Sequence, residues 1–332
     1  MNKYLVVIDL GSNSIRLKIS ELQKDGQAVT TKHYEKRYVR LSSQMGSEKI
    51  LKAEPIERTL EALRDFRQIC DQYQDKKVVA VATAAVRQAK NQQDFLKRAK
   101  AASGFDIQVI SGEQEAYLDY VGVTNALPLK RGIIIDTGGA SMELIAVEDG
   151  AAEETVSIPF GSVTLSQRYH LGDRVNAADL FDAMVEVDEV LSHQRWLNRF
   201  RRTKIIALGG SNRALAKIYR WRNAVDGKAA PVQGLTLRSE TAFAIMHQLL
   251  EVDQATRAKI RGVMKERADV VIGGLLPLLA LMRQLAIDEV CFSNSGLREG
   301  VLVKYLEHAK DLPDLTPEKA VNKAITILRN FY

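Results

Sequence analysis

Ile8-Asp9-Leu10-Gly11-Ser12-Asn13-Ser14-Ile15-Arg16-Leu17 returns, at an offset of 127 residues, as Ile135-Asp136-Thr137-Gly138-Gly139-Ala140-Ser141-Met142-Glu143-Leu144. Five of the ten positions are identical: Ile8 and Ile135, Asp9 and Asp136, Gly11 and Gly138, Ser14 and Ser141, and Leu17 and Leu144. Each copy runs an apolar, β-branched segment into an aspartate, turns through small polar residues, and resumes with apolar and polar residues alternating, the pattern of a β-hairpin. Taken alone, the first copy is also compatible with an ordinary Ser/Asn turn. Two copies in one chain point to a duplicated α/β fold.

Outward from these hairpins, helical and strand periodicities alternate. Ile56, Leu60, Leu63, Phe66 and Ile69 are spaced for one helix face within residues 54–75, and Lys77 to Ala82 reads as a buried strand. A polar helix over 90–102, a strand from Ile107 to Ile110 and a helix opening at Glu113 follow. The second half predicts helices at about 176–191, 212–224, 239–250 and 265–285, with strands at Ile205 to Leu208 and Glu289 to Phe292. Residues 227–234 and 311–317 read as loops, and a last helix is expected over 317–330, with Pro317 in its first turn. The expected domains are 1–124 and 125–310, with 311–332 packing back on the first.

The chain has 332 residues, 46% hydrophobic and 27% charged, which allows about two domains and excludes a disordered chain. Its two cysteines, Cys70 and Cys291, lie in apolar surroundings and suggest neither a disulfide framework nor a zinc site. Apolar runs too short for a membrane span, and an N-terminus without a secretory pattern, give the expectation of a cytoplasmic protein with no membrane partner. Net charge is +6, but it is unevenly spread. Residues 121–190 hold 4 basic and 12 acidic side chains, whereas residues 191–228 hold ten basic residues and the single acid Asp226.

Three small-residue turns are candidates for anion binding. Ser12, Asn13 and Ser14 follow Asp9, and Gly138, Gly139 and Ser141 follow Asp136; backbone N–H groups and hydroxyls in such turns can approach phosphate oxygens. Gly209, Gly210 and Ser211 follow a buried strand and open a helix, where an anion meets the helix N-terminus. Arg87, just past the Lys77–Ala82 strand, has the fork geometry to clamp phosphate. Asp136 and Glu143 lie on the two strands of one hairpin beside such a turn, and two carboxylates there would repel a phosphate unless a divalent cation intervened. That argues for Mg²⁺ (or Mn²⁺). Arg213, Lys217 and Arg220 share a helical stripe and read either as a rail for a polyanion or as a solvated helix face.

The ordered segments IDLGSNSIRL, ATAAVRQAKN, ISGEQEA, IDTGGASMEL, SIPFGSVTL, ALGGSNRALA, KERADVVIGG and SNSGLREGVL resemble the exopolyphosphatase and guanosine-pentaphosphate phosphohydrolase family across nearly the whole chain. The resemblance implies two actin-like, ribonuclease H-like domains of the superfamily that also holds sugar kinases and heat-shock chaperones, with the active site in a cleft between them. It also implies Mg²⁺-dependent release of terminal phosphate from polyphosphate. Guanosine pentaphosphate is the alternative substrate, and a regulator without turnover is the alternative of another class; no nucleic-acid partner is expected. By position, Glu115 matches the water-activating glutamate and Asp136 and Glu143 the acidic pair near the metal, while Asp9 matches a phosphate-grasping position and is expected to help hold Mg²⁺. The turn residues and Arg87 match positions that grasp phosphate. Gln114 and Ala140 depart from the family, which often has glutamate and glycine there. The chain resembles the short two-domain form, and a homodimer is common in the family.

Overall fold

The computed structural model describes residues 3–23, 29–224 and 229–307, in two compact units. In the first unit, β1 (Tyr4–Leu10), β2 (Ile15–Leu22) and β3 (Val29–Arg37) form an antiparallel run. α1 (Ala53–Asp71) returns the chain to β4 (Lys76–Ala82), and α2 (Ala84–Arg87) and α3 (Gln92–Ser103) lead to β5 (Ile107–Val109) and α4 (Gly112–Ala126). The sheet order is β3-β2-β1-β4-β5, with β1, β4 and β5 parallel.

The second unit repeats this plan. β6 (Gly132–Thr137), β7 (Met142–Glu148) and β8 (Ala151–Ile158) are the antiparallel run, followed by α5 (Ser162–Arg168) and α6 (Ala177–Ser192). β9 (Lys204–Gly209) runs directly into α7 (Gly210–Arg222). β10 (Thr236–Arg238), α8 (Ser239–Leu250), α9 (Gln254–Arg257), α10 (Val271–Gln284) and β11 (Glu289–Phe292) complete it, and α11 (Leu297–Glu307) follows. The order β10-β11-β9-β6-β7-β8 is that of the first sheet with one strand added at its edge. Both units thus have the ribonuclease H-like topology of the actin-like class, and the repeated decapeptide occupies equivalent strands in each.

Burial alternates along much of β2, whereas β1, β6 and β7 are enclosed on both faces, and the apolar residues of all four are almost completely buried. β3 and β8, which the sequence reading did not include, are edge strands rich in Thr, Lys and Glu with mostly accessible side chains. The helix expected over 265–285 starts only at Val271. Before it, Lys265–Arg267 form a short 3₁₀ turn whose geometry is tied to the fully buried Arg257. That guanidinium donates to the carbonyls of Leu171, Asp173 and Ala268, which draws the 268 backbone out of a helical path.

One domain boundary needs correction. Leu297–Glu307, expected in the second domain, packs on α4 and β1 and belongs to the first unit, whose described residues fall within 3–126 and 296–307. Backbone contact explains the assignment: a Cβ on Gly300 would lie 2.0 Å from the carbonyl oxygen of Leu118, and one on Gly122 would lie 2.2 Å from that of Gly296. The expected helix over 317–330 lies outside the described residues.

Cys70 and Cys291 are both buried free thiols. Burial pushes Cys70 up to about 11 and raises Cys291 as well. Because the thiolate is the reactive form, neither should react measurably with an aromatic disulfide reagent at pH 8 in the native protein. Both should react on unfolding in guanidinium; fast labelling of the native chain would contradict the burial described.

Candidate active site

The two repeated hairpins close by the same hydrogen bond, Gly11 N–H to Ser14 O at 3.2 Å and Gly138 N–H to Ser141 O at 3.0 Å. In the same register, Asp9 lies opposite Arg16 and Asp136 lies opposite Glu143. The duplication has therefore diverged at one decisive position, which carries a cation in the first hairpin and a second carboxylate in the next.

In the first unit, Asp9 Oδ2 accepts from Arg16 Nη1 at 3.0 Å and from Arg298 Nη1 at 2.9 Å. A carboxylate oxygen shared by two guanidiniums is a poor cation ligand, so local geometry favours Asp9 as the anchor of two arginines rather than as the metal ligand expected. Ser12, Asn13 and Ser14 are nearly enclosed, because the 39–45 loop donates Ser42 N–H to Ser12 O and Arg40 N–H to Asn13 O. Asn13 Nδ2 has no hydrogen-bond partner among the described residues. A buried donor left open costs stability, and it suits an anion at this turn.

Glu115 sits in the first turn of α4. Ser111 and Gln114 form a reciprocal cap there: Ser111 N–H donates to Gln114 Oε1 at 2.8 Å and Gln114 N–H donates to Ser111 Oγ at 3.1 Å. The Gln114 departure thus retains the capping function of a glutamate. Arg87 Nη1 donates to Glu115 Oε2 and to Ile110 O, both at 2.9 Å. The structure brings these two predicted residues together as a half-buried ion pair, with side-chain exposures of 21% and 12%.

In the second unit, Asp136 and Glu143 are cross-strand partners, and Glu143 is 1% exposed and accepts from Ser157 Oγ at 2.8 Å. Carboxylates directly opposite one another are unfavourable without compensation, and their hard oxygens match Mg²⁺. These two residues fit the implied cation. Among the described residues, no group of three or more acidic, histidine or cysteine side chains stands ready for a metal. The carbonyls of Gly138 and Gly139 are drawn toward α5 by the N–H groups of Ser162 and Val163, which makes SIPFGSVTL the support of this turn.

Gly209 has φ +96°, and a Cβ there would lie 2.4 Å from Thr137 O and 2.9 Å from Asp136 Oδ1. Only glycine admits the start of α7 so close to the acidic pair. Ser211 is a correction: it is fully buried, packs on Gly274 and lies 3.5 Å from Val270 O, so it joins α7 to α10 and is not available to a phosphate.

A model of the Ppx/GppA phosphatase family matches residues 22–309. The chain belongs to this family. Among solved structures, an exopolyphosphatase from Cytophaga hutchinsonii is 28% identical with TM-score 0.85, covering 92% of this chain and 98% of that one. The Aquifex aeolicus Ppx/GppA family member is 27% identical with TM-score 0.75, covering 94% and 100%. A bifunctional 3-dehydroquinate synthase/phosphatase of Fusobacterium nucleatum is 27% identical over 312 residues, which is 91% of this chain. The chain spans about half the length of that curated relative, 46% of it.

Three arginines of this Ppx/GppA chain were not singled out as site residues from sequence. Arg16 and Arg298 share Asp9, and Arg267 fills the space above Gly210, where a Cβ would come within 1.9 Å of its Cζ. Each lies inside a motif quoted above. For Arg16 a usable signal was its place in the repeat, equivalent to Glu143. Arg267 and Arg298 become visible only once distant segments meet. No helix among the described residues is long and apolar enough to cross a membrane.

Proposed function

We propose that the chain is an exopolyphosphatase that hydrolyses the terminal phosphoanhydride of inorganic polyphosphate and releases orthophosphate. The observation that carries this reading is Glu115, a carboxylate fixed by a helix cap and by Arg87 in the first turn of α4. Phosphoryl transfer to water needs a positioned base, an in-line water and cationic or N–H donors around the phosphoryl group. Glu115 orients the water and takes its proton as the new P–O bond forms and the bridging P–O bond breaks, with the shortened chain leaving on its own oxygen. Asn13 and the first turn bind phosphate oxygens, and Arg16 and Arg298 supply positive charge beside that turn. Asp136 and Glu143 would hold Mg²⁺ or Mn²⁺, which when bound would supply positive charge to an anionic substrate.

The choice of polyphosphate over guanosine pentaphosphate is supported by the basic surface of α7 and by the exopolyphosphatase from Cytophaga hutchinsonii among the relatives. Phosphate release should be followed on polyphosphate, guanosine pentaphosphate and ATP, each with and without Mg²⁺. Polyphosphate is expected to give the highest kcat/KM. Higher kcat/KM on guanosine pentaphosphate would overturn the substrate choice, and no release from any of the three would indicate a binding protein.

The acidic pair makes a separate prediction. Glu143→Gln and Asp136→Asn should each raise the Mg²⁺ concentration for half-maximal activity at least about tenfold, since loss of one charged ligand weakens a site built on two. Asp9→Asn should affect phosphate binding more than Mg²⁺ dependence. The reverse ranking in a Mg²⁺ titration would return Asp9 to the metal.

A further inference from the structure

We propose that the stripe of α7 bearing Arg213, Lys217 and Arg220, together with the 259–267 segment folded against it, is an extended track for a linear phosphate chain whose inner end is Arg267, over Gly210. The identity of this polyanion rests on the exopolyphosphatase reading; the track itself rests on geometry within the second unit.

The stripe follows from helical spacing at i, i+4 and i+7. What the sequence did not reveal is its second wall. A Cβ on Gly262 would lie 2.5 Å from Ile218 N and 2.8 Å from Lys217 C, so this backbone lies directly on α7 at Lys217. That segment is itself basic, with Lys259, Arg261, Lys265 and Arg267 against Glu266. Arg267 marks one end, over Gly210. At the other, Trp221 holds Arg261 at 3.6 Å and Arg220 at 5.4 Å from its ring centroid. The thirteen residues of α7 span about 18 Å at a 1.5 Å rise, long enough for several linked phosphates.

This arrangement differs from a solvated helix face. Lys217 is only partly accessible, and its ammonium is held below the usual lysine range by burial first, then by Arg213, Arg220 and Arg267. Arg220 Nε is buried with no hydrogen-bond partner among the described residues, while its Nη1 reaches Ala230 O. Cations concentrated this closely cost folding energy that a polyanion would offset. Single-stranded nucleic acid, which carries the same charge, gains much of its affinity by stacking bases on aromatic rings. Here Arg261 already covers a face of Trp221.

The test uses the full chain and the triple variant Lys217→Gln/Arg220→Gln/Arg261→Gln. Binding of long-chain polyphosphate and of tripolyphosphate is measured over a range of salt concentrations. The variant is expected to lose at least tenfold affinity for the long chain and clearly less for tripolyphosphate. Its log affinity should depend on log salt with a slope shallower by about two, since each removed contact contributes roughly 0.7–0.9 in nucleic acids. Arg261→Gln alone, at an accessible position, should carry about threefold of the long-chain loss and serves if the triple variant does not fold.

Equal losses for both lengths, or none, would overturn the track. So would single-stranded RNA binding as tightly per phosphate as polyphosphate and weakening equally in the variant. Length-dependent binding that the variant abolishes, in a protein that hydrolyses no polyphosphate, would support the track while refuting the exopolyphosphatase reading.

Discussion

Glu115→Gln is expected to lower kcat for phosphate release by about two to four powers of ten, the range that a positioned general base contributes. The substitution isolates proton transfer from placement. A glutamine at 115 keeps nearly the same volume, and its Oε1 can still accept the hydrogen bond that Arg87 Nη1 gives at 2.9 Å. The Ser111–Gln114 cap is untouched, so α4 should begin where it does now. What is lost is a carboxylate able to take a proton from water. KM should change far less than kcat, and the thermal unfolding midpoint should stay close to that of the unaltered chain. Retention of more than about a tenth of kcat would exclude Glu115 as the base.

Much of this site was legible because hairpins and strand ends write themselves into short stretches of sequence. Asp136 and Glu143 were visible as two carboxylates on the strands of one turn, whereas Glu115 read locally as an ordinary acidic residue at a helix start and was picked out only by the family resemblance. Two kinds of information were not local. Edge strands β3 and β8 leave most of their side chains accessible, so they lack the apolar alternation that marks a half-buried strand. Contacts between distant segments were also hidden. Arg298 lies 289 positions from Asp9, and nothing near either residue indicates the other. Ser211 shows the complementary error, since a Gly-Gly-Ser turn is written the same way whether its hydroxyl faces a ligand or the underside of α10. The Gly274 backbone against Ser211 decides the matter, and that contact crosses many residues of chain.

Gly300→Ala provides the sharpest conflict between a local rule and the tertiary structure. Gly300 lies inside α11, where replacing glycine by alanine ordinarily stabilises a helix by about 1 kcal/mol. Here the added methyl would sit 2.0 Å from Leu118 O and 2.8 Å from Leu118 C, both rigid backbone atoms of α4. Overpacking of this kind costs about 3 kcal/mol at the upper end of the usual range. The net effect is therefore a loss of about 2 kcal/mol, or about 4–8 °C in unfolding midpoint. Activity should fall further than stability alone explains. If α11 moves away from α4, Leu297 N–H leaves Asp119 Oδ1, to which it now donates at 2.8 Å, and Arg298 is displaced from Asp9. Gly122→Ala should behave in the same way, because its methyl would meet Gly296 O at 2.2 Å from the opposite side of the same crossing. Gly150→Ala is the reference for substitution without a packing clash: no atom lies within 4 Å of its Cβ, and only the φ of +80° opposes alanine. An unfolding midpoint for Gly300→Ala at or above that of the unaltered chain would mean that the α4–α11 crossing yields readily. The placement of Arg298 against Asp9 would then need another support.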